Sequence, residues 1–161
     1  MSAPRKRRVV LLGSTGSIGS STLKVARDLP ERIEIVALAA ASSIEKLAAQ
    51  ARATGVRHVA LHDASKEAAL RALLPPDVKI HLGAAGLNEL ATLAEADIVL
   101  VAIVGTAGLQ PALAAIEAGK DLAIASKEIL VMAGEVITAA ARRRGVQLLP
   151  VDSEHNAIFQ C

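Results

Sequence analysis

A chain of 161 residues that is 52% hydrophobic and 21% charged can bury one sizeable core and is too apolar to be a disordered segment. A formal net charge of +2 and a single aromatic residue, Phe159, argue against a nucleic-acid module, which would want a basic face or stacking platforms. The lone cysteine, Cys161, excludes an internal disulfide framework and a Cys-based zinc site, and charges, Gly or Pro interrupt every apolar run before it could span a membrane.

Residues 1–7 read as a basic tail in which Arg5 to Arg8 are solvated as the chain approaches its first strand. No signal-peptide core or transit-peptide pattern follows, so a cytoplasmic protein is expected. From there, short apolar runs alternate with Ala-rich amphipathic stretches. Strands are expected at RVVLL (8–12), IEIVALA (33–39), HVALH (58–62), VKIHL (78–82), DIVLVAI (97–103), DLAIA (121–125) and VQLLPV (146–151). Helices are expected at 17–29, 43–54, 65–74, 85–94, 106–119 and 128–145. Gly55, Gly119 and Gly145 follow three of them, where a left-handed cap is wanted. Continuous apolar strands are buried on both faces, and their alternation with helices predicts βαβ units. The fold class is therefore α/β, a doubly wound, mainly parallel, Rossmann-like sheet with helices on both faces.

The first crossover, VVLLGSTGSIGSSTLKVA, carries Gly13, Gly16 and Gly19 between a buried strand and a helix. Such a turn frees backbone amides to approach a pyrophosphate at a helix N-terminus, with hydroxyls from Ser14, Thr15 and Ser17 as further donors. The end of the second strand then selects the dinucleotide. An NAD enzyme usually offers an acid there, whereas this chain has Ala41, Ser42 and Ser43 and no acid before Glu45. Hydroxyls at a helix start can donate to a 2′-phosphate that a carboxylate would repel, so NADPH is expected over NADH; either serine can equally be a helix N-cap. Ile103, Val104 and Gly105, at the carboxyl end of the fifth strand, should wall the cofactor, although Gly105 can instead serve close packing.

Lys127 follows the sixth strand at the start of a helix, an end whose dipole disfavours a cation, and so calls for an anionic or electron-rich partner unless it is simply solvated. Ser126 and Glu128 beside it are an ordinary N-cap and first-turn acid. Asp152 and Glu154, two apart after the last strand, can point their carboxylates to one side as oxygen ligands for Mg²⁺ or Mn²⁺. They can equally cap and complement a final helix, EHNAIFQ.

Taken together, GSTGSIG, AIVGTAGL, ASKE and LLPVDSEHNAIFQ resemble the 1-deoxy-D-xylulose 5-phosphate reductoisomerase family of non-mevalonate isoprenoid biosynthesis. The resemblance implies an oxidoreductase that rearranges the sugar phosphate 1-deoxy-D-xylulose 5-phosphate and reduces the product with NADPH to 2-C-methyl-D-erythritol 4-phosphate, with a divalent metal as Lewis acid. Carried over by motif, Thr15, Gly16, Ser17 and Ile18 would bind the cofactor phosphates, with Gly13 shaping the turn. Ser126 and Glu128 would lie near the nicotinamide ribose, and Lys127 would touch substrate. Asp152 and Glu154 would bind the metal, and Ser153 and Glu154 would also meet substrate. The full-length family protein is implied to be a homodimer without nucleic-acid or membrane partners.

The chain departs from the family at Ala41, Ser42 and Ser43, where Gly, a basic residue and Asn are common, and at Ser126, where Asn is common. It also stops short. The expectation is a cofactor-binding domain over 8–150 and only the start of a catalytic domain over 151–161, binding NADPH weakly and inactive alone. Two rival readings remain: another NADP-dependent reductase domain, and a non-catalytic NADP-binding module indifferent to Mg²⁺ or Mn²⁺.

Overall fold

The structure, a computed structural model, describes residues 5–151. Seven strands form one sheet in the order β4-β3-β2-β1-β5-β6-β7: β1 Arg7–Leu12, β2 Ile33–Ala40, β3 His58–Leu61, β4 Lys79–Leu82, β5 Ile98–Val101, β6 Asp121–Ile124 and β7 Leu148–Pro150. Every neighbouring pair is parallel. The helices between them are α1 Ser17–Asp28, α2 Ile44–Thr54, α3 Glu67–Leu73, α4 Gly83–Ala91, α5 Leu109–Glu117 and α6 Lys127–Arg144, with a 3-10 turn at Ala64–Lys66 ahead of α3. The doubly wound α/β fold read from the sequence is the fold observed.

Alternation along β1 builds the two cores. Val9 and Leu11 face a layer filled by Leu47, Ala48 and Ala51 of α2 and by Leu70 of α3, with Ile18 and Leu23 of α1 packed against it. Val10 and Leu12 face the opposite layer, filled by Leu90 of α4, Ala115 and Ile116 of α5, and Ile129 and Ile137 of α6. Large side chains such as Leu11, Leu38, Leu90, Ile116 and Ile137 are wholly buried. Each contributes about 1.5–3 kcal/mol by leaving water. Frequent alanine on the helix faces lets the helices lie close on a sheet that has almost no aromatic filler.

Most differences from the expected elements fall at ends. The fifth helix begins at Leu109 rather than 106, because Thr106 to Gly108 turn after a left-handed Gly105 (φ 77°). The sixth, expected as unbroken, kinks at Ala133 (φ −138°, ψ 22°), immediately before Gly134, a residue that stabilises a helix interior poorly. Gly55, Gly119 and Gly145 adopt positive φ (70°, 73° and 65°) after their helices, as expected.

The arginines expected as a solvated tail are held. β1 begins at Arg7, whose Nη2 donates to Asp121 at 2.5 Å, and Arg8 meets Asp97 through its backbone amide, Nε and Nη2 at 2.9, 3.1 and 3.1 Å. Arg5 adds a second cation to Asp97 at 3.0 Å. These contacts hold the Asp97 carboxyl down at about 2, chiefly through the Arg8 hydrogen bond. They join the amino ends of β1, β5 and β6 in a way that a local charge run does not reveal.

Candidate functional site

The order of the strands places a switch point between β1 and β5: successive strands run outward from β1 to one side, and the chain then returns to its other side. In such sheets the crevice opens at the strand carboxyl ends, above the switch point. Two adjoining cavities, of about 340 and 230 Å³, lie there and share Gly16, Ala102, Ile103 and Val104. The first extends over Gly13, Thr15, the β2 end at Ala39–Ala41, His62 and Leu87. The second extends over Ser17, Ile18 and Ala125 to Glu128. A larger cavity of about 630 Å³ sits at the opposite end of the sheet among Arg5, Arg7, Arg8, Lys120, Asp97 and Asp121. Those arginines already pair with the two aspartates.

The glycine turn is built by close approach. Gly13 has φ 94°, and its amide and that of Ser14 both donate to the Ala39 carbonyl at 3.0 and 2.8 Å, pinning the turn to β2. A Cβ on Gly13 would stand 2.4 Å from the Ala102 carbonyl oxygen, and one on Gly19 would stand 2.4 Å from that of Gly13. Both glycines are therefore demanded by packing. Gly16 differs: a Cβ there would meet only the Gly13 carbonyl oxygen, at 3.6 Å, an ordinary contact. The protein's own packing leaves Gly16 free to carry a side chain, and the space it keeps open belongs to the cavities. Gly16 is also the N-cap residue of α1, whose first turn holds no acid to compensate the helix dipole. The amides at this end can thus receive an anion.

Not every hydroxyl expected to face a phosphate does so. Ser14 is fully buried; its hydroxyl donates to Gln50 Oε1 at 2.7 Å while Gln50 Nε2 donates back to the Ser14 carbonyl at 2.9 Å. Ser14 fastens the turn to α2 instead. Gln50 had no local signal, since its partner lies 36 residues away.

Of the other candidates, Thr15, Gly16, Ala41 and Ile103 line the first cavity, and Gly16, Ser17, Ile18, Ile103, Ser126, Lys127 and Glu128 line the second. Ser42, Ser43 and Gly105 line neither, and a Cβ on Gly105 would meet open space, so close packing is not its purpose. Ser43 is the N-cap of α2 by position, with no cap bond from its side chain. Ser126 is the N-cap of α6 by position and is buried, but its hydroxyl lies 3.3 Å from the Gly105 carbonyl and 3.1 Å from Glu128 Oε2 instead of capping. Lys127 is exposed at the rim as the first residue of α6. Asp152, Ser153 and Glu154 lie outside the described residues.

The sequence reading missed His62, Leu87, Ala102 and Ala107 as cavity residues. His62 and Ala102 directly follow the carboxyl ends of β3 and β5, which is the signal that could have found them. It also missed two lysines. Lys46 Nζ donates to the Thr15 carbonyl at 2.5 Å, and Lys66 Nζ donates to the Ser42 carbonyl at 3.2 Å.

Comparison with known proteins gives this geometry a relative. Residues 9–134 match the family model described as 1-deoxy-D-xylulose 5-phosphate reductoisomerase. The reductoisomerase of Symbiobacterium thermophilum is 51% identical over 160 residues, covering 96% of this chain and 41% of that protein. The structure of the Zymomonas mobilis enzyme in complex with NADPH superposes with a TM-score of 0.90 at 44% identity, over 97% of this chain and 41% of that one. A reductoisomerase structure in complex with NADPH, fosmidomycin and magnesium gives 0.89 at 42%, over 96% of this chain and 38% of that one. The chain thus spans about two-fifths of the length of the curated relatives it matches.

Proposed function

The chain belongs to the 1-deoxy-D-xylulose 5-phosphate reductoisomerase family, and from that premise we propose that it is the NADPH-binding portion of such an enzyme. The whole enzyme would isomerise 1-deoxy-D-xylulose 5-phosphate and reduce the product to 2-C-methyl-D-erythritol 4-phosphate. The observation that carries this reading is Gly16. It is the one glycine of the turn that the protein's own packing does not require, and it stands at the N-cap of a helix with no acid in its first turn, above the switch point of the sheet. A bound pyrophosphate supplies the missing reason for it.

In this reading the backbone amides of Thr15, Gly16, Ser17 and Ile18 hold the cofactor phosphates. Ala41, Ser42 and Ser43 flank the adenosine ribose. The nicotinamide half runs past Ile103 toward the second cavity, where Ser126 and Glu128 adjoin its ribose and Gly105 shapes the neighbouring turn. Bound NADPH supplies a hydride for the reduction. Lys127 brings an ammonium to the edge of that cavity, where it can meet an anionic or oxygen-rich substrate. Ala102, Ile103 and Val104 give the space between the two halves an apolar wall.

Asp152 and Glu154 belong to the proposal as ligands for Mg²⁺ or Mn²⁺, with Ser153 beside them at the substrate. Two carboxylates supply the hard oxygen donors such an ion takes, but an Mg²⁺ site wants more donors than these. Among the described residues no group of three or more potential ligands occurs. A catalytic portion beginning at about residue 151 would complete the set in a longer protein. A homodimer belongs to the proposal for that longer protein. The substrate and cofactor are charged and membrane-impermeant, which suits a cytoplasmic setting. No helix among the described residues is long and apolar enough to cross a membrane.

The test is a calorimetric titration of the chain with NADPH and NADH, with and without Mn²⁺, alongside an assay for turnover. The expected result is weak binding that favours NADPH, and no turnover by this chain alone. A preference for NADH would overturn the cofactor assignment, and turnover by the isolated chain would overturn its assignment as an inactive portion.

A further inference from the structure

Resting on that nucleotide-binding reading, we propose that Lys46 and Lys66 are the residues that recognise the 2′-phosphate of the dinucleotide, from α2 and from the 3-10 turn before α3. The adenosine ribose of a dinucleotide in this fold lies at the carboxyl end of β2. That end, Ala40 to Ser43, carries no charge of either sign.

The two ammonium groups reach it from neighbouring elements. Lys46 crosses from α2 to the Thr15 carbonyl of the glycine turn, and Lys66 crosses from the segment after β3 to the Ser42 carbonyl. Thr15 lines the first cavity and Ser42 directly follows Ala41, which also lines it, so the two cations bracket one mouth. An ammonium has three N–H donors, and each lysine uses one on its carbonyl; the other two point to no acceptor among the described residues. Neither lysine forms an ion pair among the described residues.

Lys46 is also the third residue of α2, in the turn where the helix dipole disfavours a cation, so its place there is explained by an anion rather than by the helix. Asp63 accepts at Oδ1 from the Ser65 amide and hydroxyl at 3.2 and 2.5 Å, contacts that together with the nearby Lys66 charge hold its carboxyl below the usual range. Ser42 and Ser43 make no side-chain hydrogen bond among the described residues, which leaves their hydroxyls free to donate to the same phosphate. Two ammoniums match the charge of a phosphate monoester, about −2 near neutral pH.

The experiment titrates NADPH and NADH into the 161-residue chain and its variants. Lys46→Met and Lys66→Met should each weaken NADPH by ~5-fold and leave NADH within ~2-fold, and the double variant should lose most of the preference. Lys46→Arg and Lys66→Arg, which keep the charge, should retain it. Lys79→Met, an exposed lysine at the amino end of β4, should change neither affinity. The preference should also fall as salt rises. An intact preference in the double variant, or parallel weakening of both nucleotides, overturns the assignment of these lysines. Equal binding of NADPH and NADH by the parent chain overturns it too while leaving the dinucleotide site standing. Failure of the parent chain to bind either nucleotide overturns the site and the assignment together.

Discussion

Gly13 and Ala102 meet so closely that a Cβ on Gly13 would stand 2.4 Å from the Ala102 carbonyl oxygen. This contact fastens the glycine turn after β1 to the end of β5, and the cavities open along that seam. Gly13→Ala would add backbone strain at φ 94° to a clash with main chain that cannot swing away. It should lower stability by about 2–4 kcal/mol, read from urea unfolding. Gly16→Ala tests the opposite role. Its new methyl meets nothing closer than 3.6 Å, so stability should change by less than ~1 kcal/mol while NADPH affinity falls by about tenfold or more. Equal stability losses in the two variants would contradict the distinction drawn between these glycines.

Gln50→Leu removes both hydrogen bonds that tie the turn to α2 and leaves the buried Ser14 hydroxyl without its partner. A loss of roughly 1–3 kcal/mol is expected. Amide exchange should quicken at the turn more than in β1. Unchanged protection there would show that the turn is held by the strands alone.

Much of this was legible and some was not. The strands announce themselves because a parallel sheet covered on both faces needs continuous apolar runs, and Gly or a helix N-cap follows most of them. The glycine turn was legible from its place between β1 and α1. The Ser14–Gln50 pair, the Arg8–Asp97 contact and the two lysines were hidden, since each joins residues that only the sheet order brings together. Ser14 misled for a related reason: a hydroxyl in a phosphate-type turn has two possible directions, and the one it takes is set by a glutamine on another element. The kink at Ala133 escaped because Gly134 is tolerated in many straight helices.

Asp97 makes the fold sensitive to acid. Its carboxyl sits at about 2 in the folded chain against 3.8 ordinarily, so the unfolded state binds the proton more readily. A depressed carboxylate contributes fully above its unfolded value, and that contribution is lost as pH falls from about 4 toward 2. The shift corresponds to at most about 2.5 kcal/mol. Asp97→Asn should therefore destabilise the chain at pH 7, and the gap between variant and parent should narrow between pH 5 and pH ~2.5 in urea titrations. A gap independent of pH would show that Asp97 acts through hydrogen bonding without its charge.

The dinucleotide is proposed to lie across the carboxyl ends of β1, β2 and β5, in the cavities shaped by the glycine turn. The most direct measurement is an amide NMR titration of the isotopically labelled chain with NADPH. Saturable shifts are expected at Thr15 to Ile18, at Ala41 to Ser43, at Ile103 and at Ser126 to Glu128. Shifts gathered instead around Arg5, Arg8 and Lys120 at the opposite end of the sheet, or none at millimolar NADPH, would contradict it.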